Sequence, residues 1–167
     1  MIETIFVMKK TDKTTVLVLD NIRSTHNVGS IFRIADCVGV LKIYLVGVTP
    51  DPVDRFGRDR KDIAKVSLGA EKTILWEHAT DIKKLIAKLK KDGFEVVALE
   101  QDEDSIDYKK YKPQFPFALI LGEEVNGIRK ETLNLCDKII EIKMAGEKES
   151  LNVSVATGVA LFRILNI

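Results

Sequence analysis

The sequence predicts an α/β domain: a mostly parallel six-stranded sheet with helices on both faces. Three observations carry this. Short β-branched apolar runs alternate with longer amphipathic stretches. Glycines stand where those stretches end. Polar loops follow the apolar runs directly, with no repeat, low-complexity tract or Gly/Ser linker between them.

TVLVLD (15–20) reads as a buried strand. Over 27–38, Val28, Ile31, Phe32, Ala35 and Val38 recur at helical spacing, and Gly39 is placed to end that helix. KIYLV (42–46) and TILW (73–76) are the next strands, separated by the polar stretch PDPVDRFGRDRKD. Thr80 can cap a helix whose Ile82, Leu85, Ile86 and Leu89 form one apolar stripe, with Gly93 at its end. FEVVAL (94–99), FALILG (117–122) and KIIEI (138–142) complete the six strands, and a last helix is expected from about Ser150 to Leu165. Its apolar residues cover nearly the whole circumference, so it is either central to the core or covered on its second face by another chain.

At 167 residues one domain is expected over 1–167, with 1–14 a short N-terminal extension. A chain of this size buries roughly 68–70% of its unfolded surface, enough for an ordinary core. With 46% hydrophobic and 31% charged residues the composition excludes wholesale disorder. No apolar run reaches the roughly 18 residues of a membrane span. The opening MIETIFVMKKTDK runs acid, apolar, basic, the reverse of a secretory signal, so a cytoplasmic protein is expected. Cys37 and Cys136 lie too far apart in sequence for a zinc spacing and read as reduced structural thiols, Cys37 on the apolar side of its helix. His26 and His78 cannot form a metal box, and no metal is expected. A formal charge of +1 means that any basic surface must be local.

In open parallel sheets ligands sit beyond the carboxyl ends of the strands. Three loops there are dense in polar residues and glycine. The first is NIRSTHNVGSIFR (21–33). Asn27 and Gly29 suit a tight turn into the helix, and Arg33 stands between Phe32 and Ile34, either snorkelling or ion-paired, or aimed as a fork at phosphate. The second, GEEVNGI (122–128), has the glycine spacing of a P-loop. Ile128 stands where that loop needs Lys, and Glu123 and Glu124 would repel phosphate. The loop is an ordinary turn, or it serves a ligand offering donors or positive charge. The third, MAGEKESLNVS (144–154), crowds Ser150, Asn152 and Ser154 at the start of the last helix, where one cap would suffice. No G-x-G-x-x-G follows the first strand, which argues against a dinucleotide site. Between 55 and 65 there are five basic residues against two acidic ones; Arg55, Arg58, Arg60 and Lys61 are the RNA-phosphate candidates.

Together the three loops resemble the signature motifs of the SPOUT superfamily, and more narrowly its SpoU/TrmH branch of RNA 2′-O-ribose methyltransferases. NIRSTHNVGSIFRIADCVGV resembles motif one through Asn27, Gly29 and Arg33. LGEEVNGI resembles motif two through Gly122, Glu124 and Gly127, and SLNVSVATGVALF resembles motif three. The resemblance covers about residues 15–165. It implies a C-terminal deep trefoil knot, a homodimer, and S-adenosylmethionine bound by Leu99, Gly122, Glu124, Ile142, Met144, Ser150, Leu151 and Asn152. It implies a catalytic set of Arg33, Asn27, Glu124 and Asn152. Arg33 would clamp a phosphate and stabilise the developing alkoxide, or act as the base. The family usually has Pro at the position of Lys143 and often Asn at that of Glu123. The implied substrate is RNA, tRNA ahead of rRNA, because minimal relatives mostly act there. A non-catalytic RNA-binding module of the same fold, or a knotted enzyme acting on a base, is the alternative.

Overall fold

The computed structural model describes residues 13–167. Most of the expected N-terminal extension, residues 1–12, lies outside them. The elements run β1 (Thr15–Asp20), α1 (Thr25–Val38), β2 (Lys42–Val46), α2 (Lys61–Ser67), α3 (Ala70–Thr73), β3 (Leu75–Ala79), α4 (Ile82–Lys91), β4 (Glu95–Leu99), β5 (Ile106–Asp107), β6 (Phe117–Leu121), α5 (Lys130–Leu133), β7 (Lys138–Glu141) and α6 (Val153–Leu165).

The sheet has seven strands in the order β3-β2-β1-β6-β4-β7-β5, and every pairing is parallel. The six expected strands are present. The seventh, β5, is two residues long and pairs only with β7, so it leaves no periodic trace in the sequence. β1 and β6 lie at the centre, and every residue of both is buried. Side chains of β1 alternate between two cores: Leu17 and Leu19 meet α1 and α6, and Val16 and Val18 meet α4. Phe32 and Leu89, buried on opposite faces, each contribute about 1.5–3 kcal/mol by leaving water.

Helix ends follow local chemistry, with small departures from expectation. α1 opens at Thr25 with Ser24 as its cap, so Asn27 and Gly29 sit inside its first turns rather than in a preceding turn. Gly39 ends α1 in the left-handed conformation, φ 74°, as expected. Asp81, not Thr80, caps α4, accepting from the amides of Lys83 at 2.9 Å and Lys84 at 3.2 Å. β3 starts at Leu75 because Thr73 still belongs to α3 and Ile74 closes it; Ile74 is buried as a helix end, not as a strand residue. Cys37 is exposed, contrary to the apolar position expected for it: it falls on the solvent side between Ala35 and Val38. Cys136 is half-buried and donates to the Thr132 carbonyl at 3.3 Å, and burial pushes its thiol up to about 12.

α6 starts at Val153, later than expected, because Asn152 takes the cap position and leaves Ser150 and Leu151 in the preceding loop. Thr157, Ala160, Leu161, Ile164 and Leu165 are buried, whereas Val155, Val159 and Phe162 remain 51%, 38% and 42% exposed. Within one chain only one face of this apolar helix is covered. Among the described residues no helix is long and apolar enough to cross a membrane.

Candidate active site

The carboxyl ends of β1, β4, β6 and β7 bring the three polar loops together. Asn27, at the start of α1, is buried, and both polar atoms of its side chain have a partner. Its Nδ2 donates to Glu124 Oε1 at 2.9 Å, and its Oδ1 accepts from Asn152 Nδ2 at 3.1 Å. Asn152 Oδ1 in turn accepts from the Ser154 amide at 2.9 Å and from Ser154 Oγ at 2.7 Å. Glu124 also accepts from the amides of Ser24 at 3.1 Å and Arg23 at 3.3 Å. One continuous line of hydrogen bonds thus ties the loop before α1, the loop after β6 and the cap of α6. It accounts for the surplus of small polar residues at the start of α6: one caps the helix and reaches across to Asn27, and its neighbour satisfies it.

Beside this line lies a cavity of about 400 Å³. All eight residues assigned to a cofactor from the sequence line it: Leu99, Gly122, Glu124, Ile142, Met144, Ser150, Leu151 and Asn152. Glu100, Gln101, Glu123 and Val125 line it as well and were missed. Glu100 could have been suspected, as it directly follows the strand residue Leu99. Its carboxylate accepts from the amides of Ile128 at 2.8 Å and Gln101 at 2.9 Å, pinning the second loop to the end of β4. Gln101 Nε2 donates to the Glu149 carbonyl at 2.6 Å and joins the third loop to the same point.

The glycine spacing of the second loop serves close approach rather than phosphate. A Cβ on Gly122 would stand 2.5 Å from the Gly127 carbonyl carbon and 2.6 Å from the Ile128 nitrogen. Gly127 has φ +63°, and a Cβ there would meet Glu100 Oε2 at 2.2 Å. Glu123 at the unusual second position lies 3.8 Å from the Arg23 guanidinium and accepts from Asn126 at 3.0 Å. With Glu100, Glu123 and Glu124 at its wall, the cavity suits a ligand bringing donors or positive charge.

Burial pushes the Glu124 carboxyl up, but hydrogen bonds from Asn27 and from the amides of Ser24 and Arg23 outweigh it and hold the group below its ordinary value. Glu124 is therefore a fixed anion rather than a proton acceptor. A depressed folded value stabilises the junction above the unfolded value and loses that contribution as pH falls through the folded one. Ligand binding in the cavity should accordingly weaken as pH drops below the ordinary carboxylate value of 4.5. Calorimetry across that range should show this loss in the wild type and a weaker, flatter response in Glu124→Gln. An equally steep loss in both would assign the pH dependence elsewhere. Asp20, at the end of β1, is driven the other way, up by burial and by Glu123, with Arg129 pulling it back.

Arg33 stands apart from the cavity within its own chain. It is exposed on α1, does not line the cavity, and makes no ion pair or hydrogen bond among the described residues. A structural ion pair does not describe it. In the basic loop, Arg58 is bound to Asp54 at 2.7 Å and Arg60 to Asp62 at 3.0 Å, so much of the local charge is met internally. Arg55 has no carboxylate partner among the described residues, and Lys61, exposed, opens α2. Among the described residues no three His, Cys, Asp or Glu side chains come together as a metal site.

An all-parallel α/β sheet with a cavity walled by loops at its strand ends is an architecture shared with solved RNA methyltransferases. The AdoMet-bound rRNA methyltransferase of Sinorhizobium meliloti superimposes with a TM-score of 0.83 at 27% identity, over 95% of this chain and 58% of that one. The chain belongs to the SpoU rRNA methylase family, whose model matches residues 14–162. A 23S rRNA (guanosine-2′-O-)-methyltransferase of Ralstonia nicotianae is 36% identical over 88% of this chain and 56% of its own length. A tRNA (guanosine(18)-2′-O)-methyltransferase of Aquifex aeolicus is 31% identical over 93% of this chain and 71% of its own. The chain thus spans little more than half the length of the first of these relatives.

Proposed function

We propose that this chain transfers a methyl group from S-adenosylmethionine to a ribose 2′-hydroxyl of RNA. The observation that carries the reading is the line Glu124–Asn27–Asn152, which binds the three motif loops into one wall beside the cavity. The cavity fits the cofactor in character. Apolar side chains from Leu99, Ile142, Met144 and Leu151 can hold its uncharged parts, and the acidic wall suits a sulfonium. When bound, S-adenosylmethionine supplies an activated methyl group. The remaining work falls to the protein: to hold the 2′-oxygen in line and to assist loss of its proton. A guanidinium is a poor base in water, so Arg33, which does not line the cavity of its own chain, clamps the adjacent phosphate and stabilises the developing alkoxide at the cavity of the second copy in the homodimer. Asn27, Glu124 and Asn152 keep the site in shape.

The same reading takes residues 1–167 as one cytoplasmic methyltransferase domain with a trefoil knot over its C-terminal loops, working as a homodimer. The exposed stripe Val155, Val159 and Phe162 on α6 supports the dimer, since a two-fold contact there would cover it. Transfer RNA is taken ahead of ribosomal RNA; the tRNA-directed Aquifex relative is matched over the larger share of its length. The test is methyl transfer from labelled S-adenosylmethionine to tRNA and to rRNA from cells lacking this protein. A 2′-O-methyl group leaves a gap in the alkaline ladder and a methylated dinucleotide after digestion. A complete ladder with a methylated mononucleotide would mean base methylation. RNA binding without transfer would mean a non-catalytic module.

A further inference from the structure

Beyond the strand-end cavity, the loop after β2 carries an exposed aromatic ring in an unusual setting. Phe56 is 66% exposed. Single exposed apolar residues are ordinary on a surface. This one stands at the tip of a tightly bonded turn, between two arginines. Asp54 Oδ1 accepts from the amides of Phe56 at 2.8 Å and Arg58 at 3.0 Å, and the Gly57 amide donates to the Asp54 carbonyl at 2.9 Å. Val53 and Asp59 bridge below the tip, and Gly57 takes φ +77° to close it. The ring is therefore presented on a fixed support, with little ordering cost left for binding.

The two guanidiniums differ. Arg58 lies 5.1 Å from the ring centroid and is held in place by Asp54. Arg55 lies 4.7 Å from the centroid and has no carboxylate partner among the described residues, so it can turn to another anion. The tip overlooks a bowl of about 710 Å³ whose inner wall includes Val48 and Thr49. Both are tied to the first motif loop: the Val48 amide donates to Asn21 Oδ1 at 3.2 Å, and the Ile22 amide to Thr49 Oγ1 at 3.0 Å. The tip thus stands at the same carboxyl end of the sheet as the start of the loop that leads to Asn27.

We infer that Phe56 is a stacking platform for an unpaired nucleobase, with Arg55 turning to a flanking phosphate and Arg58 fixing the ring. This rests on the RNA-directed function proposed above and specifies how the RNA is held. A largely exposed ring suits single-stranded nucleic acid, whose bases offer π-faces and whose backbone offers charge: Arg55, lying over the ring, uncovers a face for the base as it turns to the phosphate. A paired helix keeps its bases stacked inside and presents no face to the ring.

The experiment compares binding of the full chain, by fluorescence anisotropy, to a labelled RNA hairpin with an unpaired loop and to the same strand annealed to its complement. Phe56→Ala should weaken hairpin binding by about 5- to 10-fold, the lower end of what one stacked base contributes, and leave the duplex nearly unchanged. Phe56→Leu, apolar but without a π-face, should fall as far as Phe56→Ala, and Phe56→Trp should bind at least as well as wild type. Arg55→Ala should lower the slope of log Kd against log salt by about one phosphate contact, whereas Phe56→Ala should leave that slope unchanged. Wild-type affinity in Phe56→Leu, or equal loss on hairpin and duplex, would overturn the stacking role. A changed molecular mass for Phe56→Ala in sedimentation would make the tip a protein contact instead. Failure of the wild type to bind either RNA would sink the proposed function itself, an outcome distinct from all of these.

Discussion

Arg33→Ala should abolish methyl transfer while S-adenosylhomocysteine still binds within a few fold of wild type. The side chain is exposed, outside the cavity, and without a polar partner among the described residues, so no hydrogen bond or ion pair of the fold depends on it. Its removal should leave the melting temperature in place. The loss in turnover should reach at least the roughly 100- to 1000-fold seen when one preorganised charge-stabilising donor is removed. Arg33→Lys should fail nearly as badly, because an ammonium is a point charge and cannot reproduce a planar fork against a phosphate. Single-turnover methylation, calorimetry and a thermal melt on the same preparations separate the effects. A clear drop in melting temperature would return Arg33 to a structural role, and turnover near wild type would remove it from the reaction.

Asn27→Asp should be the most destabilising isosteric change in the site. It keeps the shape of the side chain and replaces the Nδ2 donor with an oxygen facing Glu124 Oε1 across 2.9 Å. Two carboxylates at that distance cannot both ionise cheaply, so the new group's proton affinity rises and Glu124 loses its side-chain donor. The acceptor side toward Asn152 survives, because either oxygen can take the bond from Nδ2. At neutral pH the cost should be about 2–4 kcal/mol, the range for an unpaired or opposed buried charge. For a chain of this size that corresponds to a fall in Tm of roughly 4–16 °C. The loss should shrink as pH falls through the raised value, because the protonated group can donate to Glu124 as the amide did. Asn27→Ala, with no acid to protonate, should show no such recovery. Thermal melts over a pH series would distinguish the two, and a pH-independent loss in Asn27→Asp would mean that Glu124 is not its neighbour in solution.

Several elements were readable from residues alone because their signals are local. The Ile82–Leu85–Ile86–Leu89 stripe marks a helix wherever it packs, and Gly39 marks an end because only a left-handed residue closes it there. The central strands were readable because a strand covered on both faces must be apolar throughout. The edges were not. β3 is mostly exposed and begins two residues later than its apolar run, and β5 exists only because β7 offers it hydrogen bonds. The last helix was legible as apolar all round, and only packing against α1 separated its covered face from the stripe left bare.

The same division holds at the site. By itself the sequence singled out three loops, since glycine and small polar residues gather after buried strands, and the resemblance to the SpoU/TrmH branch named Asn27, Arg33, Gly122, Glu124 and Asn152 within them. Tertiary structure alone decided which of them meet. Asn27 bonds Glu124 across 97 positions and Asn152 across 125, while Arg33, only six residues from Asn27, is exposed and does not line the cavity. It also decided that Glu100 pins the second loop, and that Asp54 and Asp62 pair with two of the five basic residues of a loop that reads as basic. The physical reason is one of range. Periodicity and backbone chemistry act within a few residues and are written in their order, whereas a hydrogen bond between loops depends on strand order in the sheet, which no local pattern encodes.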